Sequence, residues 1–180
     1  MPCYVFVDGQ YVRAELRQGD RPDEFDPWKP AALVQNINIA GANLVVSRIF
    51  YYDAVDEGAA PDQVERQRWY LARLQQMQDT HVVEGLVRKG KRKSEQKGVD
   101  VQLAVDALQA ANRGAVGAIA LMSGDADFVP LVRAIRDVGP HVIVIAFKES
   151  LSNELRAAAD RAIILDEPPS DWVLSGVAAR

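Results

Sequence analysis

The chain alternates short apolar runs with longer stretches of helical periodicity, and few folds accommodate that rhythm. The apolar runs are "CYVFVD", "LVVSRIFYYDA", "THVVEGLVRKG", "AVGAIALMS", "HVIVIAF" and "RAIILD". The first is continuously apolar, as a strand buried on both faces requires. The second is rich in β-branched and aromatic residues, which suit a pleated, packed surface. Between the strands lie "PAALVQNINIAG", with Pro30 near its start and Gly41 as a stop, and "QVERQRWYLARLQQMQD", whose Val64, Trp69, Leu71 and Leu74 make an apolar face. "GVDVQLAVDALQAANRG" ends on Gly114, "DFVPLVRAIRDVG" carries Pro130 in its first turn, and "SNELRAAAD" is short. "RQGDRPDEFDPWKP" reads as a loop. Strand and helix in repeated alternation predict an α/β fold, with a mainly parallel sheet of five to six strands and helices on both faces. Residues 1–166 form the expected domain and 167–180 a Pro-led tail, anchored if at all by Trp172 and Val173.

Bulk properties exclude several classes. With 21 Lys and Arg against 25 Asp and Glu, the net charge is −4, so any contact with a polyanion must come from a local patch. Cys3 has no internal disulfide partner and reads as a small buried hydrophobe in a reducing compartment. No apolar run approaches the ~20 residues of a membrane span, and "MPCYVFV" lacks the charged start of a leader. A cytoplasmic protein is the expectation. The helix around Trp69 packs on the sheet or, alternatively, pairs two copies as a homodimer.

In parallel α/β sheets ligands gather at the carboxyl ends of the strands, where strand order reverses. Acids stand at those ends: Asp8 in "VFVDGQ", Asp125 and Asp127 in "SGDADF", and Asp100 at the opening of a helix. Asp106 lies six residues beyond Asp100, about 120° round the helix from it, so the two need not converge. Each acid also has an ordinary role. Asp8 before Gly9 suits a turn, Asp100 and Asp127 suit helix caps, and Asp106 suits a solvated helix face. Asp125 is the hardest to explain as a cap, because Asp127 is better placed for that work. Clustered, they would repel: two unit charges ~4 Å apart at an effective dielectric of ~20 cost about 4 kcal/mol. Cations relieve such a cluster, and an oxygen-only donor set suits Mg²⁺ or Mn²⁺ over zinc. His81 and His141 begin strands, at the opposite edge from the acids.

"YVFVDGQ", "QKGVDVQLAVDAL" and "LMSGDADFVPLVRAIRDVGPHVIVIAF" resemble, in order and spacing, the three motif blocks of the NYN domain of the PIN-like nuclease superfamily. The resemblance runs from Cys3 to Leu165. It implies a Rossmann-like three-layer sandwich whose carboxylates bind Mg²⁺ or Mn²⁺ and cleave RNA phosphodiester bonds. By motif, Asp8, Asp100, Asp125 and Asp127 are the metal-binding and catalytic residues, and Asp106 matches the second acid of the middle block. The chain carries Gln10 and Tyr11 where many members have Asn, and Tyr11 is expected to alter the floor of the site.

The implied chemistry is metal-assisted hydrolysis, with Asp8 and Asp125 as direct ligands and Asp100 and Asp127 completing the site or orienting the nucleophile. Arg88, Lys89, Lys91, Arg92, Lys93 and Lys97 concentrate six positive charges just before Asp100 and are the expected RNA contacts, for single-stranded or structured RNA. Ser123 is expected to donate a hydrogen bond to phosphate. Two rival readings stand beside this one. A receiver-like phosphate enzyme would use Lys148 after "VIVIAF", but the third strand supplies no phosphoacceptor Asp. An inactive NYN-type module would bind RNA or protein and regulate without cutting.

Overall fold

The computed structural model describes residues 1–16, 22–86, 88–89, 94–95, 98–167 and 171–174. Its strands are β1 (Pro2–Asp8), β2 (Asn38–Ile39), β3 (Ala42–Asn43), β4 (Val45–Val55), β5 (Thr80–Leu86), β6 (Arg88–Lys89), β7 (Ser94–Glu95), β8 (Ala118–Met122), β9 (His141–Phe147) and β10 (Arg161–Leu165). Its α-helices are α1 (Gly9–Glu15), α2 (Trp28–Val34), α3 (Pro61–Gln75), α4 (Val99–Asn112), α5 (Val129–Val138) and α6 (Asn153–Ala158). Six strands form one sheet in the order β10-β9-β8-β1-β4-β5, and every pairing in it is parallel. The α/β architecture expected from the strand-helix alternation is therefore present.

Alternation along the strands divides the core in two. Cys3, Val5 and Val7 of β1 face one way and pack with Val12 of α1, Val34 of α2, and Tyr70, Leu71 and Leu74 of α3. Phe6 faces the other way, with Tyr52 of β4, Leu103 and Ala107 of α4, Val132 and Ile135 of α5, and Leu155 of α6. Three helices thus cover each face, and the single free cysteine is buried where its thiol is pushed up to about 12 by desolvation.

Strand order reverses beside β1. The chain moves outward from β1 to β4 and β5, then returns to lay β8 on the other flank of β1 and continues to β9 and β10. The carboxyl ends of β1 and β8 therefore border the crevice where α/β folds place their ligands.

Several local expectations are corrected. The segment directly after Asp8, for which no element was expected, is helix α1; Gly9 fits there because a Cβ would sit 2.6 Å from the Tyr52 carbonyl. The helix beginning near Pro30 ends at Val34 and does not reach Gly41. Residues Asn38–Asn43 form the β2–β3 hairpin, whose two turn residues Ala40 and Gly41 both have positive φ. On α3 the buried stripe is Gln67, Tyr70, Leu71 and Leu74, spaced as one helical face demands. Trp69 falls off that stripe, is 53% exposed, and carries the Arg73 guanidinium over its ring. In the tail, Trp172 packs against Phe25, and Val173 pairs with the Phe25 backbone. Among the described residues no helix is long and apolar enough to cross a membrane.

Candidate active site

Asp8 is the last residue of β1 and the cap of α1. Its Oδ1 accepts the Tyr11 N–H at 3.0 Å, while Oδ2 accepts the hydroxyl of Ser123 at 3.1 Å. Ser123 follows directly on β8, is fully buried, and accepts the Asp125 N–H at 3.3 Å. One hydroxyl therefore ties the acid at the end of the first strand to the acid after the fourth large strand. Ser123, expected to donate to phosphate, here directs its proton to Asp8.

The capping assignment is also reversed. Asp125, not Asp127, caps the short 3₁₀ turn Ala126–Phe128, its Oδ1 accepting the Asp127 N–H at 2.9 Å. Asp100 is not a cap either: Gly98 holds that position at φ 150°, and Asp100 stands in the first turn of α4. Gly85 brings this turn down onto the sheet, since a Cβ there would meet the Val99 side chain at 2.0 Å. Among the described residues the carboxylates of Asp100 and Asp127 accept no hydrogen bond. Both are exposed, whereas Asp8 is 8% exposed.

Asp8 and Asp100 both feel the charge of neighbouring acids. Burial pushes the Asp8 carboxyl up to about 6; the Tyr11 N–H and Ser123 hydroxyl oppose this, and the charges of Asp100 and Asp125 reinforce it. Asp100 is raised by partial burial, then by Asp125 and Asp127. Asp8 and Asp100 are thus each penalised by carboxylates from other segments of the chain. Among the described residues no three His, Cys, Asp or Glu side chains stand in metal-ligating geometry. The donor chemistry, oxygen only and mutually repulsive, nonetheless fits a hard divalent cation.

Other acids and bases at strand ends do not join this group. Asp53 on β4 is one residue past Tyr52, the register partner of Asp8, so alternation turns it to the opposite face. There it accepts Gln67 Nε2 at 2.9 Å and lies 3.8 Å from the Arg13 guanidinium, which also pairs with Asp23. Sequence reasoning misses it because nothing in "YYDA" distinguishes an inward structural acid from a site acid. Asp106 accepts the Tyr52 hydroxyl at 3.0 Å and Gln102 Nε2 at 2.9 Å, outside the cluster. Lys148 pairs with Asp166 at 3.8 Å. His81 and His141 lie at the amino ends of β5 and β9, away from the acids.

Tyr11 does not present a free hydroxyl to the site. Its oxygen accepts the Phe147 N–H at 2.8 Å and lies 2.8 Å from Ser150 Oγ, and burial pushes the phenol up to about 12. The loop it holds touches the acid turn, for the Ser152 N–H donates to the Gly124 carbonyl at 3.0 Å. Arg88 and Lys89 belong to the β6–β7 hairpin that precedes α4. Lys91, Arg92, Lys93 and Lys97 lie outside the described residues.

The chain is 33% identical over 95 residues to an uncharacterized protein of Methanocaldococcus jannaschii; the match takes in 52% of this chain and 40% of that relative's length. It is similar in fold to the crystal structure of a protein of unknown function from Vibrio parahaemolyticus. That comparison has a TM-score of 0.65 and 23% identity, and covers 96% of this chain and 94% of that one. The family signature of the NYN domain matches residues 2–166, which is most of the sequence. On that match, and with a parallel sheet that gathers acids at its switch point, the chain belongs to the NYN domain family, whose fold is PIN-like.

Proposed function

We propose that this protein is a ribonuclease dependent on Mg²⁺ or Mn²⁺, hydrolysing RNA phosphodiester bonds at Asp8, Asp100, Asp125 and Asp127. The observation that carries the reading is the Ser123 hydroxyl shared between Asp8 and the Asp125 backbone, which holds two acids from distant segments at one sheet edge. Membership of the NYN family supports it, since that family's fold is that of PIN-like nucleases. Bound among these acids, the cation supplies Lewis acidity towards phosphate and lowers the pKa of water.

The chain's own groups do the rest. The Tyr11 N–H and Ser123 hydroxyl both stabilise ionised Asp8, opposing its burial, so the residue is kept as an anion at neutral pH. Asp125 keeps one carboxylate oxygen on the Asp127 N–H, which fixes its orientation. Asp100 and Asp127, whose carboxylates accept no hydrogen bond among the described residues, are the acceptors available to orient an attacking water. Arg88, Lys89, Lys91, Arg92, Lys93 and Lys97 neutralise the phosphates flanking the cut.

A second reading is an NYN-type module that binds RNA or protein without cutting. It draws on the absence, among the described residues, of three acids already in ligating geometry. Purified protein incubated with single-stranded and structured RNA, in Mn²⁺, Mg²⁺ or EDTA, separates the two. Cation-dependent cleavage supports the nuclease. Binding without cleavage in every metal overturns it.

A further inference from the structure

Helices α4, α5 and α6 cover their face of the sheet unevenly. The amino-terminal halves of β4 and β5 remain open beside α4, as a groove of about 420 Å³. Its floor is aromatic. Phe6 and Phe50 stack at 4.8 Å with planes 10° apart, and Phe50 and His81 continue the row at 5.1 Å and 20°. The row ends on His81, which is exposed, so its outer side is open to another flat ring. Tyr4 tilts against Phe50 at 5.6 Å, beneath the Arg48 guanidinium.

The rim is cationic. Arg48 and Arg113 border the groove, and among the described residues neither pairs with a carboxylate. One acid, Asp106, stands on the α4 wall with its two oxygens held by Tyr52 and Gln102. A fixed carboxylate opposite an aromatic floor accepts from an exocyclic amine, which cytosine and adenine carry and uracil lacks.

The groove and the acid cluster share two elements. Tyr4 and Phe6 lie on the strand that ends at Asp8, and the run from Tyr4 to Asp8 is about 13 Å at ~3.3 Å per residue. Helix α4 carries Asp100 in its first turn and Asp106 further along, and Arg113 follows its last residue. We infer that this groove holds the single-stranded RNA leading into the site, stacking an amino-bearing base on the open side of His81, at the end of the Phe6–Phe50 row, with Arg48 and Arg113 on the adjoining phosphates. Stacking on open rings with flanking guanidiniums is how proteins hold single strands. The inference rests on the RNA-cleaving reading for its substrate, and it fails separately from that reading.

The test is fluorescence anisotropy of end-labelled oligocytidine, oligoadenosine and oligouridine of about 12 nucleotides, in EDTA and over a salt series. Oligocytidine and oligoadenosine should bind more tightly than oligouridine. The double variant Arg48→Glu with Arg113→Glu, both on the surface, should weaken binding about tenfold or more, and flatten the salt slope by about 1.4, or ~0.7 for each phosphate left without its guanidinium. An iodocytidine oligonucleotide photocrosslinked to the unmodified protein should attach at Tyr4, Phe50 or His81. Unchanged affinity in the double variant, or crosslinks confined to other segments, overturns the inference. So does a double variant that shifts from dimer to monomer in light scattering while keeping its RNA affinity, which makes the groove a self-association face. Binding abolished in the double variant of a protein that never cuts keeps the groove and removes the nuclease; full cleavage with unchanged affinity does the reverse.

Discussion

The hydroxyl of Ser123 donates to Oδ2 of Asp8 at 3.1 Å, across 115 positions of sequence. Ser123→Ala should leave Asp8 with one hydrogen bond in a buried setting. The expected cost is about 1–3 kcal/mol of folding free energy at pH 8, read from urea denaturation. The Asp8 carboxyl should also titrate at higher pH than in the wild type, because the missing bond favoured the anion. A variant with unchanged stability and unchanged titration would show that this hydrogen bond does not matter.

Asp8 gives a pH dependence of definite sign in metal-free protein. Its carboxyl titrates near 6 in the fold against 3.8 for an ordinary Asp. The protonated acid is favoured by folding, so this contribution is fully present below pH 3.8 and is lost as pH rises through about 6. At ~1.4 kcal/mol per pKa unit, the wild type should lose about 3 kcal/mol relative to Asp8→Asn across that window. Denaturation of both proteins in EDTA at pH 4 and pH 8 checks it; parallel behaviour contradicts it.

Asp125→Asn keeps a side-chain oxygen for the Asp127 N–H, so the turn should hold and stability change by less than about 0.5 kcal/mol. Cleavage of RNA in Mn²⁺ should vanish while affinity persists. The rise in melting temperature that Mn²⁺ gives the wild type should shrink, and that rise should itself be smaller at pH 5 than at pH 8, because protons compete for Asp8. Retained cleavage would remove Asp125 from the chemistry.

Tyr11→Phe should leave the Phe147 N–H without its acceptor and release Ser150, at a cost of about 1–3 kcal/mol. The loop that touches Gly124 should loosen, and the amides of Phe147 and Ser152 should exchange hydrogen faster. Exchange rates unchanged at both amides would mean that Tyr11 does not hold this loop.

Neutralising Lys91, Arg92 and Lys93 should weaken RNA binding and lower its salt dependence by about 0.7 for each single-strand phosphate no longer neutralised. Unchanged affinity would take this basic stretch out of the substrate path.

Regular elements are legible wherever a local period rules. The six large strands and the helices α3, α4, α5 and α6 follow from apolar runs and 3.6-residue stripes. The differences have causes of another kind. Helix α1 is hidden because its start depends on Gly9 fitting under the Tyr52 carbonyl, which belongs to a strand some forty residues away. The β2–β3 hairpin is hidden because Ala40, an unusual residue at positive φ, shares the turn with Gly41. Hydrophobicity alone puts Trp69 on the buried face, although the stripe through Gln67, Tyr70, Leu71 and Leu74 excludes it.

The amino-acid sequence by itself determined the order of strands and helices and the presence of acids at strand ends, because both follow from short-range periodicity and turn chemistry. Only the tertiary structure decided which of those acids are neighbours. Laying β8 against β1 brought Ser123 to Asp8, and alternation in β4 sent the equally placed Asp53 to the other face, towards Arg13. Strand order and side-chain facing are properties of the assembled sheet; a local window holds neither the partner strand nor its register.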